Sequence, residues 1–132
     1  MSYAQSAALQ VAVFQHLIGD PELAAIAIHD ALPTGPVPQT YVLLGAEDAR
    51  DVSDVSGSGA LHRFTVSIHS DNAGFSGAKQ VASTLCDSLI NAPLILSRGH
   101  LVGLWFDRAQ APRMSDGSRN IELRLRASVE VG

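Results

Sequence analysis

Five histidines and a single cysteine are the residues of this sequence best suited to catalysis or metal binding. The histidines are His16, His29, His62, His69 and His100. No two of them stand three or four residues apart, the spacing that places two ligands on one face of a helix. Cys86 is followed by Asp87, whose negative charge does not favour a reactive thiolate. We therefore expect no catalytic residue, no metal, no cofactor and no enzyme activity.

A second candidate is the acidic, Gly- and Ser-rich segment of residues 47–60. Its carboxylates lack the regular spacing and the final Glu of an EF-hand calcium loop. The segment separates two β-rich runs, so its composition predicts a loop or the tip of a long hairpin. Such a loop is either a simple connection or a docking arm for a neighbouring subunit. The candidate docking residues are Glu47, Asp48, Arg50, Asp51, Val52, Asp54 and Val55.

The third candidate is the polar half of the last strand, predicted over residues 119–131. Alternate apolar residues from Ile121 to Val131 indicate one buried face, because side chains of a strand point alternately to opposite sides. The other face carries Glu122, Arg124, Arg126 and Glu130. Two interpretations stay open. These side chains either face water, or they lie at a subunit boundary or face the lumen of a ring.

The remaining elements follow from hydrophobic spacing and turn residues. Residues 2–18 and 73–90 have helical periodicity; the first helix is expected to bury Tyr3, Ala7, Val11, Phe14 and Ile18. Further strands are predicted at 40–45, 63–69 and 101–107, with a brief one near 26–28. This order predicts an α+β fold, with two helices on one face of a mainly antiparallel sheet of four to five strands. The length of 132 residues predicts one domain over residues 1–132.

The composition excludes several classes of partner. The net charge is −4 and Lys79 is the only lysine, so a clustered basic surface for gripping DNA or an anionic membrane is not expected. The N-terminal residues lack the basic and apolar regions of a signal peptide, which predicts that the chain is cytosolic when it is made. Charged residues make up only 17% of the chain. That low fraction is either chance or a sign that partner subunits cover part of the surface.

The order of elements resembles the phage tail-completion, or tail terminator, family. The resembling features are the N-terminal amphipathic helix, the run from Asp20 to Ala25, a Pro-rich connector, the strands at 40–45 and 63–68, the helix from Ala78 to Leu89 and a closing strand. The likeness extends over nearly the whole chain through pattern and order rather than through a catalytic motif. Within the family, the sequence resembles the terminators of gene transfer agents, which are phage-like particles.

The resemblance implies a structural function. Lambda-type terminators form a six-membered ring that ends the tail tube and offers a surface to the head-side connector, or stopper, while DNA passes through the lumen. By this resemblance the expected partners are further copies of the chain, the tail tube protein and the connector. The expected location is the host cytoplasm during assembly and then the particle. The alternatives are another neck protein, such as a head-completion or stopper subunit, a small ligand-binding or hydrolytic α+β protein, and a small dimeric regulator.

Overall fold

This computed structural model describes residues 6–30, 40–51, 59–70, 76–90, 92, 94–112 and 119–130, which form two α-helices and five strands. The elements are α1 (Ser6–Ile18), β1 (Ala27–His29), β2 (Thr40–Asp51), β3 (Gly59–Ser70), α2 (Ser76–Ile90), β4 (His100–Gln110) and β5 (Arg119–Glu130). The strands form one sheet in the order β1-β2-β3-β5-β4. The pair β1–β2 is parallel, and the other three pairs are antiparallel. The predicted α+β class is confirmed.

The link between α1 and β1 is a 3-10 turn over Pro21–Leu23. The carboxylate of Asp20 caps it by accepting a hydrogen bond of 2.9 Å from the backbone N–H of Glu22. Proline follows the cap because its fixed φ suits the first helical position and its missing N–H is not needed there. Hydrogen bonding to Ser88, and then to that backbone N–H, lowers the pKa of Asp20. The turn ends with Leu23 buried in the core.

One hydrophobic core joins both helices to a single face of the sheet. On β5 the predicted alternation is confirmed: Ile121, Leu123, Leu125, Ala127 and Val129 are all buried. Alternate residues of β3, from Phe64 to Ile68, are buried on the same side. The helix α2 adds a stripe of buried side chains at helical spacing, which are Ala78, Ala82, Leu85 and Leu89. No helix among the described residues is long and apolar enough to span a bilayer.

The buried stripe of α1 is not the one that the sequence predicted. The structure buries Ser6, Leu9, Val13 and Leu17, whereas Val11 is 57% exposed and Ile18 is 49% exposed. Of the predicted stripe, Ala7 is exposed, Phe14 packs partly against the core, and Tyr3 lies outside the described residues. The cause is that α1 is apolar on most of its circumference, so two stripes have the same helical spacing. The packing selected the stripe that centres on Leu9 and Val13. The other stripe leaves an apolar surface on the outside of the helix.

The predicted acidic loop starts later than the sequence indicated. Residues 47–51 belong to β2, where Glu47 lies opposite Phe64 and Asp51 lies opposite Ala60. Polar residues are tolerated because one face of this strand pair is not covered by helices. A bulge between Leu44 and Glu47 adds one residue to β2 and turns Glu47 toward the helices. The segment 52–58 lies outside the described residues.

Candidate functional site

The sheet face turned away from the two helices, here called the open face, carries four charged residues of β5. Glu122 and Arg126 are half-buried there, and Arg124 and Glu130 are exposed. All four alternate with the buried core residues of the same strand, as the sequence predicted. Because β5 lies between β3 and the edge strand β4, these side chains stand one strand in from the margin of the sheet.

Two pairs of arginines stand directly opposite each other on the open face. Arg63 on β3 lies opposite Arg126, and Arg108 on β4 lies opposite Arg124. Like charges in such positions repel and destabilise a sheet unless a counter-charge is close. Asp107 supplies one, with carboxylate oxygens 3.9 Å from Nε of Arg63 and 4.0 Å from Nε of Arg126. The second pair has no such bridging carboxylate among the described ion pairs.

The bulges of β4 explain how Asp107 reaches the first pair. The strand gains an extra residue between Phe106 and Arg108, and Asp107 is that residue. A bulge redirects a side chain from the face that plain alternation would give it. Sequence reasoning missed Asp107 for this reason. The only signal was a single acidic residue placed between an aromatic and a basic one.

The second arginine pair borders a shallow polar depression of about 170 Å³, which is lined by Thr65, Arg108, Gln110, Glu122 and Arg124. Guanidinium groups suit the binding of a carboxylate or phosphate. In this part of the open face, four arginines stand against three carboxylates, those of Asp107, Glu122 and Asp48, the last of which lies opposite Arg63. This surface therefore does not share the negative charge of −4 of the whole chain. Within the described part of the chain, no group of three or more His, Cys, Asp or Glu side chains could hold a metal ion.

Large apolar side chains are exposed along β4, an edge strand of the sheet. Val102 is 51% exposed, Trp105 is 43% exposed and Phe106 is 47% exposed. Trp105 faces the open side, where the guanidinium carbon of Arg126 lies 5.9 Å from its ring centroid. Its indole also covers Gly103, because a Cβ added there would lie 2.4 Å from Cζ2 of Trp105. This single tryptophan is therefore a surface side chain and not part of the core.

Three aromatic rings meet at the opposite side of the open face. Tyr41 stacks on His69 with ring centroids 4.9 Å apart, and its edge meets His29 at 5.9 Å. Burial lowers the pKa of His69, and the negative charge of Glu122 partly opposes that shift. These histidines are 40 residues apart in sequence, so only the pairing of β1, β2 and β3 brings them together.

Glu47 belongs to an internal polar cluster on the helix side of the sheet. The hydroxyl of Ser6 donates to both carboxylate oxygens of Glu47, at 2.7 and 3.0 Å. Oε1 of Glu47 also lies 3.5 Å from Nδ1 of the fully buried His62. The cluster ties the start of α1 to β2 and β3. The hydroxyl bonds Glu47 rather than His62, so the cluster lacks the nucleophile–base contact of a catalytic triad.

The structure places the predicted docking residues in different environments. Asp48 and Arg50 are exposed on the open-face side of β2, whereas the Glu47 side chain is only 14% exposed and turns inward. Asp51 is the last residue of β2. Val52, Asp54 and Val55 lie outside the described residues.

Comparisons with known proteins identify the family of the chain. The chain matches the model of the family "Tail completion protein gp17" over residues 11–130. A chain of the solved structure "Virion of native gene transfer agent (GTA) particle" is 51% identical, with a TM-score of 0.91, and the match covers 98% of this chain and 99% of that one. No curated protein matches. With a fold of the same shape and a family match over nearly its whole length, this chain belongs to the phage tail completion protein gp17 family.

Proposed function

We propose that this chain is the subunit of a six-membered ring that ends the tail tube of a phage or phage-like particle and joins it to the head-side connector. The observation that carries the proposal is the near-complete match to a chain of a gene transfer agent virion. A structural subunit of this kind needs no catalytic residue. Assembly takes place in the host cytoplasm, and the finished ring remains in the particle.

The distribution of the helices supports an orientation within the ring. Both helices pack on one face of the sheet, so the subunit is thicker on that side. Subunits of a closed ring are wider at its outer circumference, which favours the helices outside and the open face inside. Glu122, Arg124, Arg126 and Glu130 then face the lumen rather than a subunit boundary.

A lumen of this kind has a mixed charge where DNA passes. Arg108 and Arg124 attract phosphates, while Glu122 and Asp107 reduce that attraction. A ring through which DNA must slide gains from weak contacts only, because strong phosphate binding would hold the DNA. Replacing Arg124 by glutamine leaves Glu122 to repel the phosphates, so assembly should stay intact while DNA delivery becomes slower in a gene-transfer assay.

The end of the β2–β3 hairpin is the proposed docking arm toward the tube or the connector. Asp48, Arg50 and Asp51 belong to its described part, and Val52, Asp54 and Val55 continue it in sequence. Replacing residues 52–58 by one asparagine keeps Gly59 and leaves a two-residue Asn-Gly turn between Asp51 and Ala60, a favoured hairpin connection. The eight intervening residues become two, which lowers the entropy cost of closure by about 1.2 kcal/mol.

The shortened variant tests the docking arm separately from the fold. Its melting temperature should equal or exceed that of the natural chain, while particles should carry unterminated or headless tails. An alanine replacement of Ser83, an exposed residue of α2, is the matched control and should leave particles normal. Normal particles from the shortened protein would show that the segment is only a connection. Images of the neck test the ring itself.

A further inference from the structure

The two margins of the sheet differ in a way that points to one contact between copies. The β4 edge, meaning the outer side of His100–Gln110, has no neighbouring strand among the described residues. On the other margin, β1 pairs only with residues 41–43 of β2. The β2 edge, meaning residues 45–51, is therefore also without a described neighbour on that side. Unpaired strand edges readily add a strand from another chain.

We propose that the β4 edge of one copy pairs antiparallel with the β2 edge of the next, so that the sheet continues around the ring. This inference rests on the proposed ring and specifies its subunit contact. The two edges lie on opposite margins of one sheet, about 14 Å apart across four strands. A contact between different patches on opposite sides is what generates a ring instead of a two-fold dimer.

The regularly paired segments of the β4 edge and the β2 edge lie at the same level along the strand direction. Following residues that lie directly opposite each other, Gly103 aligns through β5 and β3 with Arg50. By the same route Trp105 aligns with Asp48, and Phe106 aligns with Glu47. Bulges interrupt β4 on either side of residues 103–106, and a bulge precedes residue 47 in β2. The bulges therefore confine regular pairing to matching segments.

The side chains exposed near the two edges suit a contact between copies. The β4 edge carries the exposed apolar Val102, Trp105 and Phe106, which favour a buried contact over water. On the helix side, the outer stripe of α1 exposes Val11 and Ile18 on a helix that also packs beside β1. Residues 48–51 of the β2 edge carry two carboxylates and one arginine, whereas His100–Gln110 carries one arginine and one carboxylate, so no strong charge repulsion opposes the contact.

The pairing has a geometric consequence for the ring. At the height of the contact each copy contributes β2, β3, β5 and β4. Six copies of four strands, spaced about 4.8 Å apart, close a circle about 37 Å across at the backbone, and strand tilt widens it. Side chains of the open face then project into a lumen lined by one continuous sheet.

Cross-linking in assembled particles tests the contact. In a chain with Cys86→Ala, the replacements Asp48→Cys and Arg108→Cys place two thiols diagonally across the proposed pair, about 7–8 Å apart. A short bismaleimide should then produce a ladder of covalent oligomers beyond the dimer. Neither single cysteine variant should cross-link. Dimers from Arg108→Cys alone would show that β4 pairs with itself, and would overturn the proposal.

A second comparison decides the matter if the cysteine variants fail to assemble. Val102→Lys adds a charge at the β4 edge where the side chain is already 51% exposed, so the monomer should fold. It should lose at least tenfold in incorporation into particles, whereas Ser83→Lys on α2 should not. Equal incorporation of both variants would overturn the edge contact. A neck that shows a ring without this cross-link refutes only the contact, and a neck without a ring refutes the proposed function.

Discussion

Replacing Glu47 by alanine should destabilise the fold, although the sequence placed this residue in an exposed loop. The carboxylate accepts both hydrogen bonds from Ser6, at 2.7 and 3.0 Å, and lies 3.5 Å from His62. Its neighbour Asp48 is exposed on the opposite side of the same strand. Asp48→Ala is therefore a matched control for Glu47→Ala, because each replacement removes one carboxylate from β2.

The size of the effect follows from these contacts. A hydrogen bond to a charged group contributes about 1.5–3 kcal/mol, and a buried donor left without its acceptor adds to the loss. The carboxylate is itself partly desolvated, and its removal recovers some of that cost. We expect Glu47→Ala to lower the free energy of unfolding by about 2–3 kcal/mol, which corresponds to a melting temperature about 6–12 °C lower. Asp48→Ala should change the free energy by less than about 0.5 kcal/mol.

Urea unfolding followed by circular dichroism measures both variants. A double-mutant cycle with Ser6→Ala should give a coupling free energy of about 1 kcal/mol, because Ser6 and Glu47 interact directly. Equal, small losses for Glu47→Ala and Asp48→Ala would refute the internal role of Glu47. The residue would then again be a candidate for docking only.

Three further predictions concern single side chains. Gly103→Ala should displace the indole of Trp105, because the new Cβ would lie 2.4 Å from Cζ2, and the tryptophan emission maximum should shift; unchanged emission would contradict the packing. Burial lowers the pKa of His69 from 6.5, so the fold favours the neutral ring and loses stability as the pH falls below 6.5. His69→Gln should reduce that loss in melting curves between pH 7.5 and 5.5, and an unaltered pH profile would argue against the shift. Burial, and to a smaller extent the charge of Asp87, raises the pKa of the Cys86 thiol. Iodoacetamide at pH 8 should therefore alkylate Cys86 more slowly in the folded than in the denatured protein. Equal alkylation rates by mass spectrometry would count against a shielded thiol.

The fold could be predicted from the sequence wherever a sequence pattern fitted only one local structure. The strict alternation of β5 could not be a helix, and its apolar residues could only face the core. The cap formed by Asp20 and Pro21 was equally clear, because each residue type suits its position for a specific reason. The family resemblance rested on the order of such elements, and the comparisons confirm it.

The predictions were wrong where packing and strand register, rather than the local sequence pattern, decide which way a side chain points. α1 has two apolar stripes, and only the geometry of the sheet decides that Leu9 and Val13 are buried while Val11 is exposed. A bulge reverses alternation, so neither the inward turn of Glu47 nor the position of Asp107 beside Arg63 follows from spacing. The opposed arginines were also out of reach, because they depend on strand register between distant segments.

A reconstruction of the neck of a particle that contains this chain tests the central claim most directly. The ring proposal predicts six copies in one layer between the tail tube and the head-side connector, with the helices outside and the open face toward the DNA. One or two copies of the chain, or a position away from the end of the tube, would contradict it.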